Sequence, residues 1–415
     1  MSNNPEYRNG KIIFDGIDIC DAASEFNTPA YIYSRKMIED NWLEYDLAFG
    51  GYKHLVCYAV KANSSLAVLN IMAKLGAGFD IVSLGELERV IAAGGDPKKI
   101  LFSGVGKSYT EIKRALELGI KCINIESEAE LERVNAIAIE MNLRAPISLR
   151  VNPDVDPKTH PYVSTGLKQS KFGVDIDLAF SVYKRAAQMD GIAITGIDCH
   201  IGSQLTDDSP YFDALKRVMN LYSKLTAEGI EISHIDMGGG IGICYQDESI
   251  PNIKIYIEKM VAMVEESGAE LIIEPGRSIV GNAGLLLTKV EYIKKGDEKS
   301  FAIVDAAMND LMRPSLYSSW QNIIPATETD ADEDTYDIVG PVCESGDFLG
   351  KDRKLRIKQG DILAVCSAGA YGFSMSSNYN SRPRAVELMI DNNSVRVIRK
   401  RETVAELFAN ETIID

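Results

Sequence analysis

The chain has 415 residues, 46% of them hydrophobic, more than a single hydrophobic core usually serves, so a large domain and a smaller one are expected. Its 44 basic and 60 acidic side chains leave a net charge of −16, which opposes contact with phosphate backbones and anionic lipids and excludes nucleic acid and membrane from the expected partners. No apolar run approaches the ~18 residues of a membrane span, the first residues lack a basic-then-apolar signal pattern, and the cytoplasm is the expected location.

Lys11–Ile19 reads as a strand that precedes everything regular in the chain, and it is expected to join a sheet formed much later. From residue 55 to 277 a rhythm sets in: a short apolar run, a polar turn, then a segment with helical periodicity. The apolar runs are Leu55–Val60, Phe79–Val82, Ile100–Phe102, Cys122–Ile125, Ile147–Val151, Ile192–Cys199, Ile232–Met237 and Leu271–Ile273. They are rich in Ile and Val, as strands buried on both faces should be. Leu84–Ala93 is an amphipathic helix stopped at Gly94-Gly95, and Thr110–Leu118 is another, stopped at Gly119. Ser127 is the expected N-cap of a third. Eight such units predict a (β/α)8 TIM-type barrel rather than an open doubly wound sheet. After residue 285 the pattern becomes strands and turns: Leu285–Ile293, Phe301–Val304, Ile362–Cys366, Ala385–Ile390 and Ser394–Ile398, with 327–337 read as an acidic, solvated loop. The expected division is a barrel over 36–284 and a C-terminal β-domain over 285–415 that also takes the N-terminal strand from 1–35.

Barrel enzymes build their sites at the C-terminal ends of the strands. There the first run ends in Lys61, the sixth in His200-Ile-Gly-Ser-Gln204, the seventh in Asp236-Met-Gly-Gly-Gly-Ile-Gly242 and the eighth in Glu274-Pro-Gly-Arg277. A lone lysine at a strand end is more often a snorkelling surface residue than a reactive amine. In an apolar setting, however, its neutral amine forms a Schiff base with a carbonyl. Gly238–Gly242 presents backbone N–H groups that suit a phosphate, although a tight turn explains a glycine run equally well. His200 offers a flat ring, and Glu274 a carboxylate that can pair with a pyridine nitrogen and keep it an electron sink. A reactive lysine, a phosphate cradle, a flat ring and a carboxylate are together what pyridoxal 5'-phosphate requires. Seven cysteines without a CxxC and four histidines show no metal-ligand spacing, and no metal is expected.

Tyr58-Ala-Val-Lys-Ala-Asn63, His200-Ile-Gly-Ser-Gln204, Gly238-Gly-Gly240 and Glu274-Pro-Gly-Arg277 resemble the alanine-racemase-like, fold type III pyridoxal-phosphate decarboxylases. Asn309-Asp-Leu-Met-Arg-Pro-Ser-Leu-Tyr317, Cys343-Glu-Ser-Gly-Asp347 and Ala368-Gly-Ala-Tyr-Gly372 resemble the branch of that family that acts on diaminopimelate. The resemblance implies that Lys61 is the Schiff-base lysine, that His200 stacks on the cofactor ring and that Glu274 meets its nitrogen. It implies that Ser203, Gly238, Gly239, Gly240, Gly276 and Tyr371 hold the phosphate. Arg277, Arg313 and Tyr317 would bind a distal carboxylate. Cys343, as proton donor, and Glu344, on the distal amine, would come from the second subunit of a homodimer. The region 152–173 resembles the family's active-site loop, with Gly166 and Gly173 as hinges. Two arginines call for an anion, so the expected reaction is decarboxylation of meso-2,6-diaminopimelate to L-lysine. Ornithine, arginine or lysine decarboxylation and amino-acid racemisation are the alternatives.

Overall fold

The computed structural model describes residues 5–155 and 170–414. Gly166 therefore lies outside the described residues. Two compact units are formed, one of Glu39–Ile243 and Glu248–Ser278, the other of Met1–Ile38, Cys244–Asp247 and Ile279–Asp415.

The first unit is a closed parallel barrel. Its strands are β1 (His54–Ala59), β2 (Gly78–Ile81), β3 (Ile100–Phe102), β4 (Cys122–Ile125), β5 (Ala145–Asn152), β6 (Ile192–Asp198), β7 (His234–Asp236) and β8 (Glu270–Ile273). Each pairs with the next, and β8 returns to β1 through Leu271 opposite His54. These are the eight runs read from the sequence, with ends shifted by one or two residues. Apolar residues fill both faces because helices cover the outside. Local chemistry sets where those helices begin. Ser83 accepts from the Glu86 N–H at the start of Leu84–Ala92, and Ser127 accepts from Glu130 at the start of Glu128–Glu140. Ser108 and Glu111 form a capping box on Tyr109–Leu118, which ends at left-handed Gly119.

The second unit is a β-structure. Its main sheet runs, strand by neighbouring strand, through Phe348–Arg356, Glu333–Val339, Ser300–Val304, Gly284–Lys294, Ala30–Ser34, Val386–Asp391 and Ser394–Arg399. Ile362–Val365 also pairs with Gly284–Lys294, and with Ile323–Pro325 on its other side. Ile12, Phe14, Ile19, Ile32, Leu285, Leu287, Leu388 and Ile390 pack into one buried cluster.

Two expectations need correction here. The acidic stretch 327–337 is not all loop, because Glu333–Val339 is a strand. Tyr336, Asp337 and Ile338 are buried and Glu333 and Thr335 exposed, a pattern that its three acidic residues concealed. The N-terminal strand of the large sheet is Ala30–Ser34, not Lys11–Ile19. Lys11–Phe14 instead pairs with Glu6–Arg8 and Ile17–Asp18 in a small sheet of its own.

Candidate active site

Each functional side chain at the barrel mouth stands where a strand runs out. Lys61 lies in the short 3-10 turn Val60–Ala62 directly after β1. Its Nζ donates to Oδ2 of Asp80, in β2, at 2.5 Å. Asp80 is fully buried, so the lysine is held against a desolvated carboxylate rather than set alone in an apolar strand end. Glu86, on the following helix, accepts from the Val82 N–H at 2.8 Å. Burial pushes its carboxyl up to about 7 against the opposing charge of Lys61.

The barrel interior beneath carries a surplus of acid. Asp198 ends β6, Asp236 ends β7 beside it in register, and Glu274 follows β8. Their carboxyl oxygens approach within 4.8 Å of one another. Burial raises the pKa of all three; repulsion within the cluster raises Asp198 and Glu274 further, while Asp236, pushed up to about 7, is repelled by Asp80. Asp198 Oδ1 and Glu274 Oε1 are buried without a hydrogen-bond partner among the described residues. The nearby cationic side chain of Arg150, in β5, is engaged at 2.9 Å by Glu126. Glu126 also accepts from the N–H groups of Gly104 and Gly173, so it fastens two loops to the strand ends. The Arg150 guanidinium lies over the Phe172 ring, 4.7 Å from its centre.

His200, just past the end of β6, is half-buried. Burial and the charges of Arg150 and Lys61 hold its pKa far below the usual imidazole value. The Gly239 N–H donates to its Nδ1 at 3.2 Å, so the neutral ring carries its proton on Nε2. The glycine loop is thus more occupied than the sequence implied. Gly238 N–H donates to Asp236 Oδ1 at 2.8 Å and Gly239 N–H to His200. Of the three amides, only Gly240's has no acceptor within the protein among the described residues. No side chain fits in this run. Gly238 has φ +65°, a Cβ there would come within 2.6 Å of His200 Nδ1, and one on Gly239 would strike the Glu274 carbonyl oxygen. Arg277 opens the short helix Arg277–Val280, and its Nη2 donates to Ser203 Oγ at 3.0 Å. Gly276 packs against Ala59 and Ala62 next to Lys61.

The β-unit supplies the other residues that the sequence singled out. Buried Arg313 starts the helix Arg313–Tyr317, donates to the Tyr245 hydroxyl at 2.7 Å and stacks over that ring at 5.0 Å. Tyr317, at the end of the same helix, and Tyr371, with φ +55°, are half-buried. Cys343 and Glu344 are exposed on a turn closed by Asp347, which accepts from the N–H groups of Met308 and Val342.

The barrel therefore brings Lys61, His200, Ser203, Gly238–Gly240, Glu274, Gly276 and Arg277 to one end, and the β-unit carries Arg313, Tyr317, Cys343, Glu344 and Tyr371. Sequence reading missed Asp80, Glu126, Arg150, Asp198 and Asp236. A signal was present, since Asp80, Arg150, Asp198 and Asp236 interrupt otherwise apolar strands, where a charge is rare unless it is used.

The barrel mouth thus sets a lysine, a buried acid cluster, a neutral imidazole and a glycine loop at one end of a parallel barrel. The class that the barrel and its mouth define is the pyridoxal-dependent decarboxylases, whose pyridoxal-binding-domain model matches residues 35–281. The diaminopimelate decarboxylase of Vibrio cholerae is 54% identical over 406 residues, 98% of this chain and 97% of its own. That of Pseudomonas aeruginosa is 54% identical over 98% of each. A solved diaminopimelate decarboxylase from Helicobacter pylori, complexed with L-lysine, superposes with a TM-score of 0.92 at 43% identity, covering 95% of this chain and 99% of that one. One from M. jannaschii, also in complex with L-lysine, gives 0.94 at 39% identity over 99% and 98%. The chain belongs to the diaminopimelate decarboxylase family.

Proposed function

We infer that this chain is the carboxy-lyase that converts meso-2,6-diaminopimelate to L-lysine and CO2, with pyridoxal 5'-phosphate as cofactor. The observation that carries this reading is identity of 54%, across nearly the whole chain, to diaminopimelate decarboxylases. The L-lysine held by two of the similar structures is the product of that reaction.

The residues at the barrel mouth fit the cofactor. Lys61 would hold it covalently, with Asp80 orienting the amine. Glu274, short of a hydrogen-bond partner at Oε1, would meet the ring nitrogen. Neutral His200 would support one ring face, its orientation set by Gly239. Ser203, the Gly238–Gly240 loop, Gly276, Arg277 and Tyr371 would take the phosphate, with the Gly240 amide as the donor still available in that loop. When bound, pyridoxal phosphate supplies the sink for the electron pair that CO2 leaves behind.

Substrate choice follows from charge. Arg277 and Arg313 offer guanidinium groups to a carboxylate, Tyr317 and Tyr371 add hydroxyls, and Glu344 suits an ammonium. Diaminopimelate carries both groups at its distal end. Ornithine, arginine and lysine lack the carboxylate and would leave the arginines unmatched. Cys343 would deliver a proton to the carbon that has lost its carboxylate. The exposure of Cys343 and Glu344 supports a homodimer in which each copy completes the other's site. No helix among the described residues is long and apolar enough to cross a membrane; a cytoplasmic enzyme with no nucleic-acid partner is the reading we adopt.

The test supplies meso-diaminopimelate, ornithine, arginine and lysine separately to the cofactor-loaded protein and measures CO2. Release from diaminopimelate far above the others is expected. A preference for ornithine or lysine refutes the arginine argument, and α-proton exchange without CO2 would make the chain a racemase.

A further inference from the structure

The turn that carries Cys343 and Glu344 is met, residue for residue, by a second turn. The Tyr379 hydroxyl donates to Glu344 Oε1 at 2.5 Å, and Asn380 Oδ1 accepts from the Cys343 N–H at 2.9 Å. All four residues are exposed. Hydrogen bonds between exposed groups add little to stability, because water replaces either partner.

The second turn is nevertheless held at a cost. Asn380 and Ser381 both take left-handed backbone, at φ +56° and +53°, and neither is glycine. It is also braced on both sides. Asn378 Nδ2 donates to the Arg382 carbonyl at 3.1 Å and to Glu402 Oε2 at 2.7 Å. Arg382 donates to Asn309 Oδ1 at 3.0 Å and to the Asp305 carbonyl at 2.5 Å. A strained, braced turn whose outward contacts are two exposed hydrogen bonds is explained by what those bonds orient, not by what they stabilise.

We propose that Tyr379 and Asn380 are positioning residues for the Cys343–Glu344 pair. Tyr379 aims the Glu344 carboxylate at the substrate's distal ammonium, and Asn380 fixes the backbone from which the Cys343 thiol projects. The assignment rests on the reading in which Cys343 and Glu344 act on substrate. The tyrosine governs recognition and the asparagine governs proton delivery, so their losses separate kinetically.

The test uses the cofactor-loaded enzyme and meso-diaminopimelate. Tyr379→Phe should raise KM about tenfold with kcat within about twofold, the signature of lost binding. Glu344→Gln should also raise KM, and adding Tyr379→Phe to it should cost nothing further, because the hydroxyl acts only through that carboxylate. Asn380→Gly, which keeps the backbone conformation, should lower kcat about tenfold with KM little changed, and Asn380→Asp, which keeps the acceptor, should restore it. Melting temperature and bound-cofactor absorbance should match the parent in every variant. If Glu344→Gln raises KM while Tyr379→Phe does not, the positioning assignment is overturned and the substrate reading survives. If the two effects simply add, Tyr379 does not work through Glu344. If Glu344→Gln itself leaves KM unchanged, the reading of Glu344 fails and the role of Tyr379 with it.

Discussion

Lys61 alone, read as a letter in a sequence, favours a surface residue. The strand ends around it made it a Schiff-base candidate, and that much was legible because position in a barrel is itself information. Its partner was not. Asp80 lies inside the run Phe79–Val82 and was counted among strand residues, as Asp198 and Asp236 were in theirs. Periodicity records which face a side chain takes, but not which side chains from distant strands converge there. His234 shows the reverse case, a titratable group with no part in the chemistry. It lies buried in β7 against Gly196, and burial pushes its imidazole down to about 3. The unfolded chain binds a proton near the ordinary 6.5, and the folded chain refuses it until about pH 3. The stability this residue supports is therefore full above pH 6.5 and falls as the pH drops toward 3. Between pH 7 and 5 that amounts to about 2 kcal/mol. Urea midpoints at the two pH values should show this loss in the parent and a smaller one in His234→Gln; equal losses would mean that the imidazole is protonated in the folded protein.

At the scale of elements, the eight barrel strands were read within a residue or two of their observed ends, because each is a compact apolar run bounded by turn residues. Glu333–Val339 was lost because Glu333, Asp334 and Asp337 give it the composition of a solvated loop, although Tyr336, Asp337 and Ile338 are buried in succession. The glycine loop after β7 was read as presenting a row of amides to a phosphate, but its amides were over-counted. Sequence alone cannot reveal that Gly238 serves Asp236 and Gly239 serves His200. That double duty makes the loop a joint between the acid cluster and the imidazole. Gly239→Ala forces a methyl group onto the Glu274 carbonyl, so the loop must shift and release His200. We expect the variant to lose cofactor affinity by about tenfold or more. Titration of the apoprotein with pyridoxal phosphate, followed by absorbance, measures this. Unchanged affinity would show that the loop's conformation is not what orients the ring.

For the whole molecule, the sequence divided the chain into a barrel and a β-part and predicted that early residues return to the late sheet, although it chose the wrong strand to do so. The stretch Ala30–Ser34 is short and follows a Thr-Pro step, so it offered little pattern of its own. The proposed role of Cys343 is tested at the level of assembly. If a second copy supplies it, Lys61→Ala and Cys343→Ala are each inactive alone. Refolded together in equal amounts, they form mixed dimers with one intact site and should recover about a quarter of parental turnover. No recovery would mean that both residues serve one site within a single chain.

The placing of Ala30–Ser34 also bears on how the protein is made. This strand lies parallel to Val386–Asp391 and antiparallel to Gly284–Lys294. One of its two neighbours is therefore synthesised some 350 residues after it. On the ribosome the barrel's strands emerge consecutively and can pair as they appear, but this early strand waits for both neighbours, and its second edge stays open until Val386–Asp391 has been made. Its residues, Ala-Tyr-Ile-Tyr-Ser, are strongly sheet-forming. Nascent chains stalled before Val386 would expose that edge, and these are the species a holding chaperone would have to shield.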